Sequence, residues 1–151
     1  MRSVCVSLPS GWKERVVERS SAYSTRLPGI VLTNFRFGQM DNFYGLDGFA
    51  ENWPSGAVMI GVMSSRTDLA SVSSDTAPLR IRAGDFQVSP ELKAEGMFSA
   101  PLAETWRFSN NHQLTAFVEV RSVTPATVAK ANEILASVRG CSASARSPSI
   151  R

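Results

Sequence analysis

The sequence predicts an α+β domain in which an antiparallel β-sheet carries a C-terminal helix packed on one of its faces. Two observations predict this class. Most of the chain consists of short apolar segments that alternate at the strand period and are separated by Gly, Pro, Asn and Asp. The last long segment instead has apolar residues at helical spacing.

The size and composition indicate one domain. The chain has 151 residues, of which 43% are hydrophobic and 19% are charged, well within the range of folded globular proteins. We predict a single domain over residues 1–140. The remaining residues, 141–151, are small and polar and are predicted to form a disordered tail.

The first predicted strand contains Val4, Val6 and Leu8 on one face and stops at the turn residues 9–11. Val16 and Val17 suit either a short second strand or a helical turn, and the strand is the favoured interpretation. Both predictions follow from apolar residues at alternate or adjacent positions between polar ones.

Two further strands have stronger signals. Residues 30–37 are rich in β-branched and aromatic side chains, which favour a pleated surface. Residues 57–63 are apolar throughout, apart from a glycine, so this strand is expected to be covered on both faces and central in the sheet. Three shorter strands are predicted at 79–82, 85–88 and 95–99.

A hairpin is predicted near the end of the sheet. Residues 104–108 alternate, residues 109–112 are turn formers, and the segment 113–121 follows. The second strand of the hairpin has apolar residues on one face: Leu114, Ala116, Val118 and Val120.

The final element is predicted to be a helix over residues 125–139. Thr124 is suited to cap the free backbone amides, Pro125 to occupy the first helical position, and Gly140 to end the helix. Its apolar stripe consists of Val128, Ala131, Ile134, Leu135 and Val138.

The net charge of +3 does not indicate a nucleic-acid-binding protein. Arg139, Arg146 and Arg151 lie at the end of the chain, where there is no acid, and the rest of the chain has equal numbers of basic and acidic residues. Binding to phosphates requires basic residues gathered on one face, whereas these are scattered singly.

The apolar segments are too short for a membrane span, which needs about 20 residues. The first residues also lack the apolar core and cleavage site of a secretory signal. A mature exported domain, or a start assigned too late, would give the same sequence. The compartment therefore stays open, with the cytoplasm indicated by the sequence as written.

The chain contains two cysteines, Cys5 and Cys141, which are too few for a zinc site built from thiolates. Two free thiols in a reducing compartment are the favoured interpretation. The alternative is a disulfide, which requires that the last helix pack on the first strand.

Both ends of the sequence show a resemblance to a known family. The opening Val-Ser-Leu-Pro-Ser-Gly-Trp at 6–12, and Ala-Asn-Glu-Ile-Leu-Ala-Ser-Val-Arg at 131–139 after the hairpin, resemble PsbP-like domains. The resemblance implies an α/β/α sandwich on an antiparallel sheet. It also implies an accessory or binding module, and it transfers no catalytic residue.

The sequence contains no common phosphate-binding, zinc-protease or serine-hydrolase motif, so we predict no catalytic residues, no metal site and no cofactor. A calcium loop beginning at Asp41 would place Phe43 and Gly45 where oxygen ligands belong. The only histidine, His112, is expected to lie exposed in the hairpin turn with a structural role.

The connection from Gly38 to Gly56 is the most distinctive stretch because its aromatic content is high. Long connections are often functional, and these side chains either form a binding surface or cover one face of the sheet. The candidate site consists of Phe43, Tyr44, Phe49 and Trp53.

We therefore expect a noncatalytic accessory or binding module that recognises a protein partner or a small ligand. The alternative is a small enzyme that uses the carboxylates of this connection, Asp41, Asp47 and Glu51.

Overall fold

A computed structural model describes residues 3–17, 29–36, 53–66, 77–88, 100–109 and 112–141. In these ranges the chain forms seven strands and one α-helix. The strands are β1 (Ser3–Cys5), β2 (Lys13–Val17), β3 (Gly29–Thr33), β4 (Val58–Arg66), β5 (Leu102–Ser109), β6 (His112–Val120) and β7 (Arg139–Cys141). The helix, α1, spans Pro125–Ser137 and precedes β7.

Five strands form one antiparallel sheet in the order β2-β3-β4-β6-β5, and β1 and β7 form a separate antiparallel ribbon. The predicted class, an α+β domain with an antiparallel sheet and a C-terminal helix, is confirmed. β4 is central, as its apolar sequence predicted. The hairpin is also confirmed, as β5 and β6.

The strand register assigns residues to two faces of the sheet. Leu32, Ile60, Val118 and Ala103 are aligned across four strands, and they share what we call the helix face. The alternate positions, including Met59, form the opposite face. Both faces bury side chains, in two separate hydrophobic clusters.

Helix α1 packs on the helix face through Ala131, Ile134 and Leu135, each fully buried. Its start is fixed by Thr124, whose hydroxyl oxygen accepts from the amide of Thr127 at 3.1 Å, while the amide of Thr124 donates to the hydroxyl of Thr127 at 2.9 Å. The helix ends at Ser137, earlier than predicted.

The helix ends early because the chain after it becomes extended and pairs with the first strand. Val138 has an extended backbone, with φ −68° and ψ 125°, and the next residues pair with β1 as strand β7. Gly140 therefore lies in a strand, opposite Val4, and Cys141 is opposite Ser3. The tail was predicted to begin at residue 141; residues 142–151 lie outside the described part of the chain.

The segment 79–82 does not form the strand that its alternation predicted. Leu79 and Ile81 are buried on the helix face, and the residues between and after them are exposed. A side chain of the helix replaces the missing strand partner, because Asn132 Nδ2 donates to the carbonyl of Ile81 and Asn132 Oδ1 accepts from its amide, both at 2.9 Å. The predicted strand 85–88 is a 3-10 helix at Ala83–Asp85 followed by a single bridge from Gln87 to Leu102.

The N-terminal segment also covers the helix face. Val4, Val6, Leu8 and Trp12 are partly buried against its core. Gly11 has φ +86°, a conformation that favours glycine, and the amide of Trp12 bonds the carbonyl of Pro9 at 3.3 Å to close the predicted turn. The segment is tied to α1 by the amide of Ser7, which donates to the hydroxyl of Ser137 at 3.0 Å.

Cys5 is disulfide-bonded, which corrects the expectation of two free thiols. Cys141 is the only other cysteine in the chain. The physical reason is the β1–β7 ribbon, which brings the two cysteines near each other. Arg139 lies opposite Cys5, and Cys141 is two residues further along β7. The sequence prediction lacked β7, which brings the two ends of the chain together.

The predictions for His112 and for the strand at 95–99 have different outcomes. His112 is the first residue of β6, opposite Ser109 and Arg66, instead of a turn residue. The predicted strand 95–99 lies outside the described ranges. Within the described part, no helix is long and apolar enough to cross a bilayer.

Candidate functional site

Trp53, one of the four predicted binding residues, is a core residue at one end of the opposite face. It is only 5% exposed, and its ring centroid lies 5.0 Å from that of Phe35. The two rings share a buried cluster with Val31 of β3 and Met59 of β4. Trp53 therefore contributes to the packing of the sheet.

The end of the opposite face that contains Trp53, here called the Trp53 end, is fixed by hydrogen bonds from two side chains, which we call its anchors. Asn34 Nδ2 donates to the carbonyl of Gly56 at 2.9 Å, and Asn34 Oδ1 accepts from the amide of Val58 at 2.8 Å. The guanidinium of Arg121, just after β6, donates to the carbonyl of Trp53. Both anchors fix backbone that precedes or begins the central strand.

The other members of the predicted site lie outside the described residues. This applies to Phe43, Tyr44 and Phe49, and also to the carboxylates of the enzymatic alternative, Asp41, Asp47 and Glu51. A binding surface formed by the rest of this connection stays a prediction.

A different aromatic pair lies exposed on strand β5. Trp106 is 55% exposed, and it is the only exposed aromatic side chain among the residues that the structure describes. The Phe108 ring packs edge-to-face against it, with centroids 5.2 Å apart and an interplanar angle of 68°. Leu102, on the same face, is 38% exposed. We call Leu102, Glu104, Trp106 and Phe108 the β5 surface.

The side chains of Trp106 and Phe108 lie on the opposite face because the helix face of β5 is already occupied. There the strand places Ala103, Thr105 and Arg107. The Arg107 guanidinium donates to the carbonyl of Ala77 at 3.1 Å and also to the carbonyl of Val138 at the end of α1. This anchoring fixes the rotation of the strand, and Trp106 is directed to the opposite face.

The backbone of β5 forms an edge of the sheet. Leu102 exchanges two hydrogen bonds with Gln87, each 2.8 Å, on the side away from β6. Residues 83–85, which would continue the pairing, form the 3-10 helix instead, and this helix stays close to β5 without extending the ladder. In an antiparallel strand alternate residues direct their amide and carbonyl to the same side, so Glu104, Trp106 and Phe108 direct theirs outward. No hydrogen bond from another described residue reaches these outward groups.

The other edge strand, β2, has a different surface. Lys13, Glu14 and Arg15 are exposed along it, and such charges discourage the pairing of an edge with another chain. Among the β2 side chains that the structure describes, Val16 is apolar and markedly exposed, at 62%. The two edges therefore differ in chemistry, since β2 is charged whereas β5 carries an aromatic pair.

The opposite face also contains a buried acid, Glu119, which is 8% exposed and aligned with Met59 and Leu102. It lies beside the β5 surface, and it is the only charged side chain that is buried among the described residues.

In the same ranges, no group of three or more His, Cys, Asp or Glu is placed to hold a metal ion.

The sequence did contain a signal for the β5 surface. The predicted alternation over 104–108 places Trp106 and Phe108 on one face and Arg107 on the other. The apolar face of the following strand, which contains Ala116 and Val118, pairs with Thr105 and Ala103. The register of the hairpin thus assigns the aromatic residues to the face that the helix does not cover.

Comparison with protein-family models, curated proteins and solved structures found no match to this chain. The class of the protein is therefore defined by its architecture, an α+β domain on an antiparallel sheet, and its function is inferred from its surface.

Proposed function

We propose that this protein is a noncatalytic binding module that recognises a protein partner through the β5 surface. The observation that carries this proposal is the exposure of Trp106, 55%, on a sheet edge where the outward backbone groups of Glu104, Trp106 and Phe108 have no partner among the described residues. Tryptophan is enriched among the residues that dominate binding energies at protein interfaces.

The energy available from Trp106 is large enough to support recognition. A tryptophan side chain buries up to about 250 Å², so covering the exposed part of this ring would remove roughly 130 Å² from water. At about 25 cal/mol per Å² this contributes on the order of 3 kcal/mol. Phe108 already packs against one edge of the ring, which limits the entropy lost on binding.

The form of the surface favours a protein over a small ligand. Small ligands are bound in concave sites that enclose most of their area, whereas these side chains lie along the outer strand of a sheet. The proposal agrees with the resemblance of the two chain ends to PsbP-like accessory domains, and the sandwich fold of that family is part of the proposal.

Site-specific photo-crosslinking would test the proposed surface. A photoreactive phenylalanine derivative replaces Phe108 in one variant and Val16 in another, and each is produced in the cells that make the protein. Val16 is the matched control because it is an exposed apolar residue on the other edge strand. We expect a discrete protein adduct, identified by mass spectrometry, from position 108 only.

A second substitution links the adduct to the tryptophan. Trp106→Ala in the position-108 variant should reduce the adduct by about thirtyfold, the effect of losing a contact worth roughly 2 kcal/mol. Adducts of equal yield from both positions, or an adduct unaffected by Trp106→Ala, would contradict the proposed function.

A further inference from the structure

We infer that the partner presents an extended segment that adds to β5 as an antiparallel strand, with a basic residue opposite Glu104. This inference rests on the proposed function and specifies the chemical class of the partner. It follows from three features of the β5 edge, namely its backbone, its side chains and its charge.

The backbone is prepared for strand addition. The Gln87 bridge shows that the outward groups of Leu102 already form antiparallel pairing, with two bonds of 2.8 Å. The next outward groups along the strand belong to Glu104, Trp106 and Phe108, where the protein's own chain has turned into the 3-10 helix. An incoming strand would continue the same ladder over about 17 Å, the length of five residues.

The side chains give this ladder a preferred sequence. In an antiparallel pair, residues that lie directly opposite each other are on the same face of the sheet. Every second residue of the incoming segment would therefore lie beside Glu104, Trp106 and Phe108. Aromatic residues pair well with aromatic or β-branched residues across strands, so apolar residues are expected opposite the two rings.

The charge argues for a basic partner and against a second copy of this chain. Glu104 is exposed, and the other charged residue of β5, Arg107, is on the helix face and bonded to Val138. Symmetric pairing of two β5 strands about Trp106 would place Glu104 opposite Phe108 of the other copy, and pairing about Thr105 would place it opposite Trp106. Neither arrangement gives Glu104 a cation.

The area of the edge agrees with this choice. Stable dimers bury at least roughly 1,200 Å² in total, which a five-residue strip cannot supply alone. Recognition of extended segments by sheet edges instead takes its affinity from main-chain hydrogen bonds and from a few side-chain contacts. The occupant to which these features point is an extended, basic and alternately apolar segment of another protein.

Selection from a phage-displayed library of random linear peptides would test the inference, with the full chain as bait and its Trp106→Ala variant as counter-bait. We expect the enriched peptides to contain apolar residues at alternate positions and a Lys or Arg in the same register. N-methylation of the pairing amides should weaken a selected peptide about tenfold for each bond lost. Glu104→Gln should weaken it about two- to fivefold.

Three results would overturn the inference. Peptides that bind equally well after N-methylation would show recognition by side chains alone. Failure to enrich any peptide over the Trp106→Ala counter-bait would exclude an extended segment. A concentration-dependent dimer in analytical ultracentrifugation, abolished by Trp106→Ala, would identify a second copy as the occupant. If the adduct at position 108 persists in any of these cases, the proposed function stands and only the strand-addition inference fails.

Discussion

Trp53 and Trp106 are in opposite environments although both are associated with the same face of the sheet. Trp53 is 5% exposed and packs on Phe35, whereas Trp106 is 55% exposed beside Phe108. The first ring is enclosed by residues from two central strands, and the second lies on an edge strand. The face thus divides into a stabilising end and an end available for binding.

An aromatic residue can have either of two roles, and the sequence alone does not distinguish them. Burial of a large ring stabilises the fold, and exposure of the same ring provides binding energy. Substitutions at the two ends should therefore have separate effects, one on the stability of the fold and the other on binding.

The largest effect is expected for Trp53→Ala. Removing a buried tryptophan leaves a cavity beside Phe35 and Met59, so the free energy of unfolding should fall by about 3–5 kcal/mol. Urea denaturation followed by circular dichroism measures this loss. Trp106→Ala is the matched control and should lower stability by no more than about 1.5 kcal/mol, the usual contribution of an aromatic pair such as Trp106 with Phe108. Equal losses in the two variants would remove the distinction between the ends.

The next effect is expected for Cys5→Ser, which acts at the helix face. Loss of the disulfide should lower the free energy of unfolding by about 3 kcal/mol, because the bond restricts the unfolded chain. Denaturation of the wild-type protein with and without a reductant should give the same difference. Because the ribbon is separate from the five-stranded sheet, peptide binding at the β5 surface should persist in the folded variant. A variant as stable as the oxidised wild-type protein would contradict the role of this bond.

The smallest effect is expected for the two asparagine anchors. Asn34→Ala removes two hydrogen bonds at the Trp53 end, and Asn132→Ala removes two at the helix face, so each should cost about 1–3 kcal/mol. Hydrogen exchange distinguishes them. The amide of Val58 should exchange faster in the first variant only, and the amide of Ile81 in the second only. Equal acceleration of both amides in either variant would indicate that the two faces do not open independently.

Most of the described sheet was predictable because its signals are local. The apolar stretch at 57–63 and the alternation after residue 113 each indicate a strand without knowledge of the rest of the chain. The start of α1 was equally readable, because Thr124 and Pro125 act on their immediate neighbours.

The errors occurred where distant residues decide the structure. Leu79 and Ile81 alternate like a strand, but their partner is the side chain of Asn132 from a helix. Val138 fits the apolar stripe of the helix, but its neighbours pair with β1. Neither contact has a signal in the local sequence.

The prediction that Trp53 belongs to a binding surface failed for a related reason. Aromatic density attracted the prediction to the connection before β4, where Trp53 proves to be buried. The exposed ring occurs in an ordinary strand, and its exposure follows only from combining the hairpin register with the face that α1 covers.

The β1–β7 ribbon gives the domain an unusual mechanical response. Residues 3 and 141 lie opposite each other, so a pulling force applied to the two ends acts first on the bonds of this short ribbon. The ribbon alone would open one residue pair at a time, and the covalent bond at Cys5 resists that opening. While the bond is intact, a force applied at residues 3 and 141 should not be transmitted to the five-stranded sheet. The exposed edge at Trp106 should therefore keep its structure under tension.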